Sequence, residues 1–230
     1  MRKNGYTFFT IVNSANLKTG IWNPYSYKDN ELDNSLSDFV TIEKIANKGN
    51  INLSDFAPIE YKNIPTGELL TFSLQDNSVQ EGKYYIIGEQ VLLFGTMRAY
   101  LGNVLVTPKA KWLEKESPIF YPINSEFVEI IPHDKLPYFW WSYLKSAVFL
   151  QQMPTGSGGT RPRVTIDNLK QIPVSVPTLE ERIKINNCLI QLAEQSWRNY
   201  IICRDIIKTN HQKNNLFNSS FDNNFENHYV

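Results

Sequence analysis

The sequence predicts an α+β protein: a globular domain with a mixed or antiparallel β-sheet and short helices, followed by one long C-terminal α-helix. Between residues 67 and 132, short β-branched and aromatic runs alternate with Gly and Pro, which is typical of strands and turns. Residues 135–153 are dense in aromatic residues and Leu, and their length favours a buried helix. Neither Gly nor Pro occurs after residue 179, so a single helix can run to about residue 217.

Each predicted element rests on a local pattern. The first forty residues are polar and aromatic without a period and indicate a loop-rich opening, whereas FVTIEKIAN (39–47) is either a strand or a short helix. A short helix or turn is expected around residues 166–170. The predicted strands lie within ELLTFSL (68–74), KYYIIG (83–88), EQVLLFGTMRAYLGNVLVTP (89–108), SPIFYPI (117–123), EFVEIIP (126–132) and QIPVSVP (171–177).

The start of the long helix is marked by a capping box. Pro177 precedes it, Thr178 can cap it, and Glu181 stands three residues later. At 1.5 Å per residue, a helix from 179 to about 216 is roughly 57 Å long. We therefore divide the chain into a globular domain (1–176), a long helix (177–217) and a flexible tail (218–230).

One face of this helix carries an apolar stripe interrupted by Asn186 and Arg204. The stripe is either packed on the chain's own domain or exposed to another chain. Because the helix is longer than a domain of about 175 residues with a radius of gyration of about 16 Å, we expect part of the stripe to contact a partner. The predicted interface residues are Ile183, Ile190, Ala193, Trp197, Tyr200 and Ile207.

The composition excludes several classes of protein. Lys plus Arg and Asp plus Glu number 23 each in 230 residues, which argues against a simple electrostatic binder of nucleic acid but allows positive groups concentrated in loops. The two cysteines, fifteen residues apart, are too few for a disulfide framework and indicate a reducing compartment. We see neither a signal peptide nor an apolar run of about 18 residues, so we expect a cytoplasmic protein without a membrane segment.

No catalytic, metal or cofactor site is predicted for this chain. The three histidines show no metal-ligand spacing, and the glycine loop GSGGT (156–160) lacks the Lys-Ser/Thr of a phosphate-binding loop. Asn23-Pro24-Tyr25 is one proline short of an adenine-methyltransferase motif and is interpreted as a turn. No motif in the sequence combines a nucleophile, a base and an oxyanion site.

The arginines around the glycine loop instead suggest contact with DNA. Pro162 stiffens the loop and separates Arg161 from Arg163, and arginine is the commonest specific partner of guanine. For each candidate the alternative is a surface ion pair, packing or simple solvation. The predicted DNA-binding residues are Arg98, Tyr100, Lys109, Lys111, Gly158, Thr160, Arg161, Arg163 and Lys170.

Three segments resemble specificity subunits of type I restriction–modification systems. The run Leu169–Glu181 (LKQIPVSVPTLEE), followed by a long helix, is similar to the junction at which a recognition domain passes into a spacer helix. The run Ile87–Arg98 (IGEQVLLFGTMR) and the following Gly102-Asn103-Val104 are similar to a G-D-I-L strand of the same family. The resemblance spans roughly residues 39–217. Arg182 replaces the family's usual Gln, and this chain has one domain and one helix where family members generally have two of each.

The resemblance implies a non-catalytic reader of double-stranded DNA. Each recognition domain reads one half of a bipartite site, the helices pair antiparallel and set the gap, and methyltransferase and restriction (translocase) subunits dock on the scaffold. S-adenosylmethionine is expected on the methyltransferase subunit, not on this chain. A half subunit that homodimerises through its helix would read a symmetric, interrupted target. The alternatives are a protein- or glycan-binding module dimerised by the helix, and the reading arm of a fused restriction–methylation enzyme.

Overall fold

The computed structural model describes residues 34–46, 48–50, 56–65, 67, 69–76, 83–153 and 162–225. Short 3-10 helices cover Leu36–Asp38, Tyr61–Asn63, Ala99–Leu101 and Ala110–Leu113. In this part of the chain, no helix is both long enough and apolar enough to span a membrane. The strands are β1 (Val40–Lys44), β2 (Lys48–Asn50), β3 (Lys83–Ile87), β4 (Leu92–Gly95), β5 (Val104–Val106), β6 (Tyr121–Ile123) and β7 (Phe127–Pro132), and the helices are α1 (Pro137–Lys145), α2 (Ala147–Leu150), α3 (Ile166–Lys170) and α4 (Leu179–Phe225).

The strands form two antiparallel sheets. The larger sheet has the order β1-β7-β4-β5 and the smaller one the order β2-β3-β6. In the larger sheet β4 lies between β5 and β7, and all four of its residues are buried, which explains why the sequence shows a continuous apolar run there. The predicted fold class is confirmed: α+β, with antiparallel sheets, short helices and one long C-terminal helix.

Two predicted strands are absent from their described segments. Of residues 68–74, the described ones form no strand, because Ser73 N–H donates to Asn63 O and Leu74 N–H to the hydroxyl of Tyr200 on α4. Residues 171–177 form no strand and make one isolated bridge, between Ser35 and Pro173. The backbone groups of both segments are satisfied by loops and side chains, so neither joins a sheet.

The other differences concern helix and strand boundaries. Residues 40–44 are strand β1, which resolves the alternatives left open for 39–47. The predicted helix at 135–153 breaks into α1 and α2 at Ser146, whose hydroxyl accepts a hydrogen bond from Phe149 N–H and caps the second helix. The capping box at the start of α4 is confirmed, with Thr178 and Glu181 hydrogen bonded to each other. Because α4 extends to Phe225, residues 218–225 belong to the helix and not to the predicted tail.

The predicted stripe of α4 mainly covers the chain's own domain. Ala193 and Trp197 are fully buried, and the Trp197 ring lies edge-on to Phe72 with centroids 5.0 Å apart. The hydroxyl of Tyr200 accepts from Leu74 N–H and donates to Leu74 O. Ala193 and Trp197 therefore cannot form the partner interface that the sequence predicts, because they are fully buried within the chain, whereas Tyr200 is only partly buried.

The rest of the predicted stripe is divided between two environments. Ile190 is half-buried against the core, whereas Ile183 is 40% exposed and Ile207 is 56% exposed. The middle of the stripe therefore faces the domain, and its two ends face solvent.

Polar contacts attach the first turns of α4 to α1. Arg182 forms an ion pair with Asp134, and both side chains are nearly buried, with 11% and 10% of their surface exposed. The side-chain oxygen of Asn186 accepts from Tyr138 N–H at 3.0 Å and from Phe139 N–H at 3.2 Å. These two N–H groups lie in the first turn of α1, so a residue of α4 caps the N-terminus of another helix.

A second set of contacts holds α4 farther along. Asp76 forms ion pairs with Lys208 and with Arg204. The hydrogen bond from Lys208 lowers the pKa of Asp76, and the charges of Lys208 and Arg204 act in the same direction. Together with Arg182 near the start of the helix, these contacts hold α4 along the domain over about seven turns.

Candidate DNA interface

Two loops that are distant in sequence form one unit at the end of the larger sheet. Residues 96–103 connect β4 to β5, and residues 162–165 precede α3. Arg98 N–H donates to Pro162 O at 2.8 Å, and Val164 N–H donates to Thr96 O at 3.0 Å, on either side of a bridge between Met97 and Arg163. The residues of these two segments are called the paired loops below.

The turn at Arg98 gives the paired loops an exposed tip. Arg98 adopts the left-handed conformation with φ 49°, at the start of the 3-10 helix Ala99–Leu101, and Gly102 ends that helix with φ 65°. Tyr100 and Leu101 are 55% and 45% exposed, and Arg98 is exposed as well. A left-handed arginine costs conformational energy and is found where the surrounding structure fixes it. The chain thus maintains a fixed turn that presents a cation and an aromatic ring to solvent.

Arg163 is held in a two-point ion pair with Glu126, which lies in the turn between β6 and β7. The Nε–H group donates to one carboxylate oxygen at 2.9 Å, and Nη2 donates to the other at 2.6 Å. The arginine side chain is 53% exposed and the glutamate side chain 26%. The hydrogen bond to Glu126, and then its charge, raise the pKa of Arg163.

The backbone of Glu126 is fixed by a small hydrogen-bond network. Its carbonyl oxygen accepts from the Tyr61 hydroxyl at 2.8 Å, from Thr96 N–H at 2.9 Å and from the Thr96 hydroxyl at 2.9 Å. Its N–H donates to the side-chain oxygen of Asn124 at 2.9 Å. The carboxylate that holds Arg163 therefore projects from a rigid support.

Tyr61 connects this support to the paired loops. Its hydroxyl also accepts from Met97 N–H at 3.3 Å, and burial raises the pKa of Tyr61 to about 12, so the phenol remains a donor at neutral pH. The ring approaches the backbone at Gly95 so closely that a Cβ there would collide with it. Glycine at position 95 is thus required by the close approach of an aromatic ring.

A cleft with a cavity volume of about 360 Å³ lies beside the paired loops, between the edge of the larger sheet and α3. Lys44, Thr96, Thr165 and Asp167 are among its polar lining residues, and its apolar lining includes side chains of β7. The cleft gives the interface a concave side next to the exposed tip.

The structure brings together three of the predicted DNA-binding residues and separates two others. Arg98, Tyr100 and Arg163 share the paired loops. Lys109 and Lys111 follow β5 at the opposite end of the β4–β5 hairpin, away from the paired loops, and their contact with DNA stays a prediction.

The surroundings of the two lysines support their separate position. The ammonium of Lys109 lies 5.4 Å from the centroid of the Trp112 ring. Lys111 lies in the 3-10 helix Ala110–Leu113, which packs against α4. On α4, the pKa of Glu194 is lowered by its hydrogen bond from Arg198 and, to a lesser extent, by the charge of Lys111.

The remaining candidates divide into two groups. Lys170 is half-buried and ends α3, which packs against β1. Gly158, Thr160 and Arg161 lie outside the described residues, as does the segment Asn23-Pro24-Tyr25.

Glu126 was missed by the sequence analysis because an acidic residue is not sought in a DNA interface. The turn residues Asn124 and Ser125 before it place it in a loop, but its pairing with Arg163 depends on the fold.

Metal binding has no structural candidate among the described residues, in which no group of three His, Cys, Asp or Glu side chains is placed to hold an ion. The site consists of hydrogen-bond donors, one carboxylate and one exposed aromatic ring. Such a set can bind polar base edges and phosphates.

Comparisons with known proteins give the family. The family model described as "Type I restriction modification DNA specificity domain" matches residues 3–197. No curated protein matches the chain.

Two solved structures are similar over part of their length. The HsdS subunit from Thermoanaerobacter tengcongensis is 18% identical with a TM-score of 0.37, over 71% of this chain and 37% of that one. A chain from a study of complex assembly and conformational transition of the type I R-M system is 16% identical with a TM-score of 0.34, over 87% of this chain and 49% of that one. This chain therefore spans less than half the length of either solved protein.

The match to the family model covers most of the 230 residues and agrees with the resemblance of the domain–helix junction. The chain belongs to the family of type I restriction–modification DNA specificity domains.

Proposed function

We propose that this chain is the DNA-reading subunit of a type I restriction–modification complex, in which it recognises one half of a bipartite target and carries the methyltransferase and restriction subunits. The observation that supports this most directly is the unit of paired loops, which presents Arg98, Tyr100 and Arg163 on one surface of a specificity-domain fold. The chain performs no chemistry in this proposal. S-adenosylmethionine belongs to the methyltransferase subunit, and the complex acts in the cytoplasm.

The charge distribution fits a reader that uses a few directed contacts. The chain has no net charge, and Arg163 is paired with a carboxylate, so a broad positive field cannot supply the affinity. Arg98 is exposed at the tip of the paired loops, where one directed contact to a base is within its reach. A two-point arginine–guanine contact contributes about 1–3 kcal/mol of discrimination.

Arg98→Ala tests this placement. We expect the variant to bind duplex DNA roughly 5- to 150-fold more weakly than the unmodified chain, which is the fold-change that corresponds to one base contact. Fluorescence anisotropy at several salt concentrations measures it. The matched control is Lys184→Ala, which removes another exposed cation, from α4. Equal affinities for the two variants would exclude Arg98 from the DNA contact.

A second copy of the chain is proposed as the partner of α4. On the side of the helix away from the domain, a stripe follows alternating steps of three and four residues, as in a two-stranded coiled coil. Its apolar members Ile185, Leu192, Ile202 and Ile206 are 40–55% exposed, and Cys188 is exposed. We call this stripe, together with its polar positions, the seam. It consists of Ile185, Cys188, Leu192, Gln195, Asn199, Ile202, Ile206 and Thr209.

An antiparallel pairing centred at residue 197 matches the seam with itself. Leu192 then lies opposite Ile202 of the second copy, Cys188 opposite Ile206, and Gln195 opposite Asn199. A shift by one heptad in either direction places amides against apolar side chains, which leaves buried polar groups unpaired. The central amides therefore fix the register, as polar residues do in other coiled coils.

Leu192→Glu separates this interface from the stripe predicted by the sequence. We expect Leu192→Glu to convert a dimer into a monomer in sedimentation velocity, because it places a charge in an apolar layer. The control Ile207→Glu alters a residue that is also exposed, but lies off the seam, and it should stay dimeric. A monomeric unmodified chain at tens of micromolar, or dissociation by the control alone, contradicts the proposed seam.

The complete proposal is tested by co-expression with a candidate methyltransferase subunit, followed by mapping of methylated adenines. We expect methylation within a symmetric, interrupted target, because two copies of one domain would be related by a two-fold axis. Methylation that does not depend on this chain, or an asymmetric target, would refute the half-site function.

A further inference from the structure

We infer that Glu126 is a positioning residue that holds Arg163 for end-on hydrogen bonding to a guanine of the target. This inference rests on the proposed DNA-reading function and adds a base and a supporting residue to it. It arises from the ion pair between the two side chains, whose geometry determines which guanidinium edge remains available.

The guanidinium group presents its N–H donors along different edges. Nε–H and one N–H of Nη2 are directed at the two oxygens of Glu126. The edge formed by Nη1 and the other N–H of Nη2 lies outside this contact and at the far end of the side chain. Two parallel N–H groups on that edge match the O6 and N7 acceptors of guanine in the major groove.

The charge of the pair favours a base over a phosphate. Glu126 neutralises Arg163 locally, and a neutral pair attracts a phosphate weakly and releases few counterions on binding. The directed N–H donors are unaffected by this neutralisation. A carboxylate next to a DNA-contacting arginine is therefore unfavourable for backbone binding but suitable for sequence recognition.

The hydrogen-bonded backbone of Glu126 allows its carboxylate to position Arg163. An unsupported arginine loses rotamer freedom when it binds a base, whereas Arg163 is already fixed at two points. Glu126 is in turn fixed by three hydrogen bonds to its carbonyl oxygen, from Tyr61 and Thr96. The arginine is thus presented in one orientation before DNA arrives.

Selection from a random duplex library tests the inference without a known target. Bound sequences are selected separately with the unmodified chain and with the variants Arg163→Ala, Arg163→Lys and Glu126→Gln. The control is Glu116→Gln, which alters an exposed glutamate outside the paired loops. Thermal unfolding confirms that each variant is folded. Affinities for the selected duplex are then measured across salt concentrations.

We expect the unmodified chain to select at least one guanine that Arg163→Ala no longer distinguishes, with roughly 5- to 150-fold loss of discrimination at that position. Arg163→Lys should lose the same preference because lysine lacks the fork. Glu126→Gln should weaken it at the same position, whereas Glu116→Gln should preserve it. In Arg163→Ala the salt slope should not show the fall of about one that marks a lost phosphate contact.

Several outcomes overturn the inference while leaving DNA reading intact. A uniform loss of affinity in Arg163→Ala, with the salt slope reduced by about one, identifies a phosphate contact. A full guanine preference in Glu126→Gln removes the positioning role, and a changed cytosine preference means that Glu126 reads a base itself. If Glu126→Gln does not fold, retention of the guanine preference by Arg163→Lys contradicts the inference. An unmodified chain that selects no sequence refutes the proposed function as well.

Discussion

The ion pair between Asp134 and Arg182 provides the sharpest test of how the long helix is attached to the domain. The two side chains are 10% and 11% exposed. The indole N–H of Trp140 donates to both carboxylate oxygens, at 3.1 and 3.3 Å, and the guanidinium lies 5.6 Å from the centroid of the Phe39 ring. Removal of either partner therefore leaves a charge among aromatic side chains.

Asp134→Asn preserves an acceptor for Trp140 and removes the negative charge, and Arg182→Met preserves the aliphatic stem and removes the positive one. Breaking a buried ion pair from one side costs about 3–5 kcal/mol. For a chain of this size, each kcal/mol lowers Tm by about 2–4 °C, so each single variant should lose roughly 6–20 °C. The double variant has no unpaired charge, and it should lose less than the sum by about 0.5–3 kcal/mol.

Urea unfolding followed by circular dichroism and tryptophan fluorescence measures these differences. The control is Lys184→Met, which breaks an ion pair with Glu180 on the same helix. Those side chains are 71% and 79% exposed, so the expected change is within about 0.5 kcal/mol. Single variants of the buried pair that cost no more than this control, or a double variant that equals the sum, would refute the argument that the pair holds α4 to the domain.

Two further predictions concern packing and pH. Gly95→Ala should destabilise the chain by about 1–3 kcal/mol, because the added Cβ would collide with Tyr61. The control Gly88→Ala should cost less, because the space around its Cβ is open. Equal losses of stability in thermal unfolding would contradict this prediction. Lys208 lowers the pKa of Asp76, so their contact adds stability above the ordinary carboxyl value of roughly 3.9 and loses it as the pH falls below that value. The difference in Tm between the unmodified chain and Asp76→Asn should therefore shrink between pH 7 and about pH 2, and a constant difference would show that the contact contributes nothing.

The sequence predicted the elements whose local pattern matches their surroundings. β4 is buried on both faces and appears in the sequence as an apolar run, and α4 begins at its capping box. The prediction failed at 68–74 and 171–177 because apolar content shows burial but does not identify the hydrogen-bond partner. Leu74 N–H bonds to a hydroxyl on α4, and Leu36 N–H bonds to Ile172 O. Such distant partners leave no trace in local periodicity.

The faces of α4 show the same limit. The helix has two apolar stripes, and periodicity cannot determine which one covers the domain. Asn186 and Arg204 looked like interruptions of the inner stripe, yet they are contacts to the domain: one caps α1, and the other faces Asp76. Polar residues within an apolar stripe therefore marked the intramolecular face, and the seam with Leu192 is on the other side.

The sequence predicted the exposed residues of the site but not their arrangement. Arg98 and Tyr100 were identified because they follow a buried strand, and Arg163 because it follows Pro162 beside the glycine loop. Their proximity comes from the bridge between Met97 and Arg163, and the role inferred for Glu126 depends on that bridge as well. Lys109 and Lys111 show the converse, since a loop lysine looks the same in sequence whichever end of a hairpin it occupies.

The proposed function requires a fixed relation between the reading loops and the helix, and the packing provides it in steps. α4 is attached to the domain by Arg182 near its start and by Lys208 farther along. These residues are 26 apart in the helix, or roughly 39 Å. Two attachment points at that separation prevent a rotation about either one. α1 then packs on β4, β5 and β7, and the paired loops extend from β4. Any dimer formed through α4 would consequently hold its two sets of paired loops at one distance, which is the physical requirement for reading a target with a constant gap.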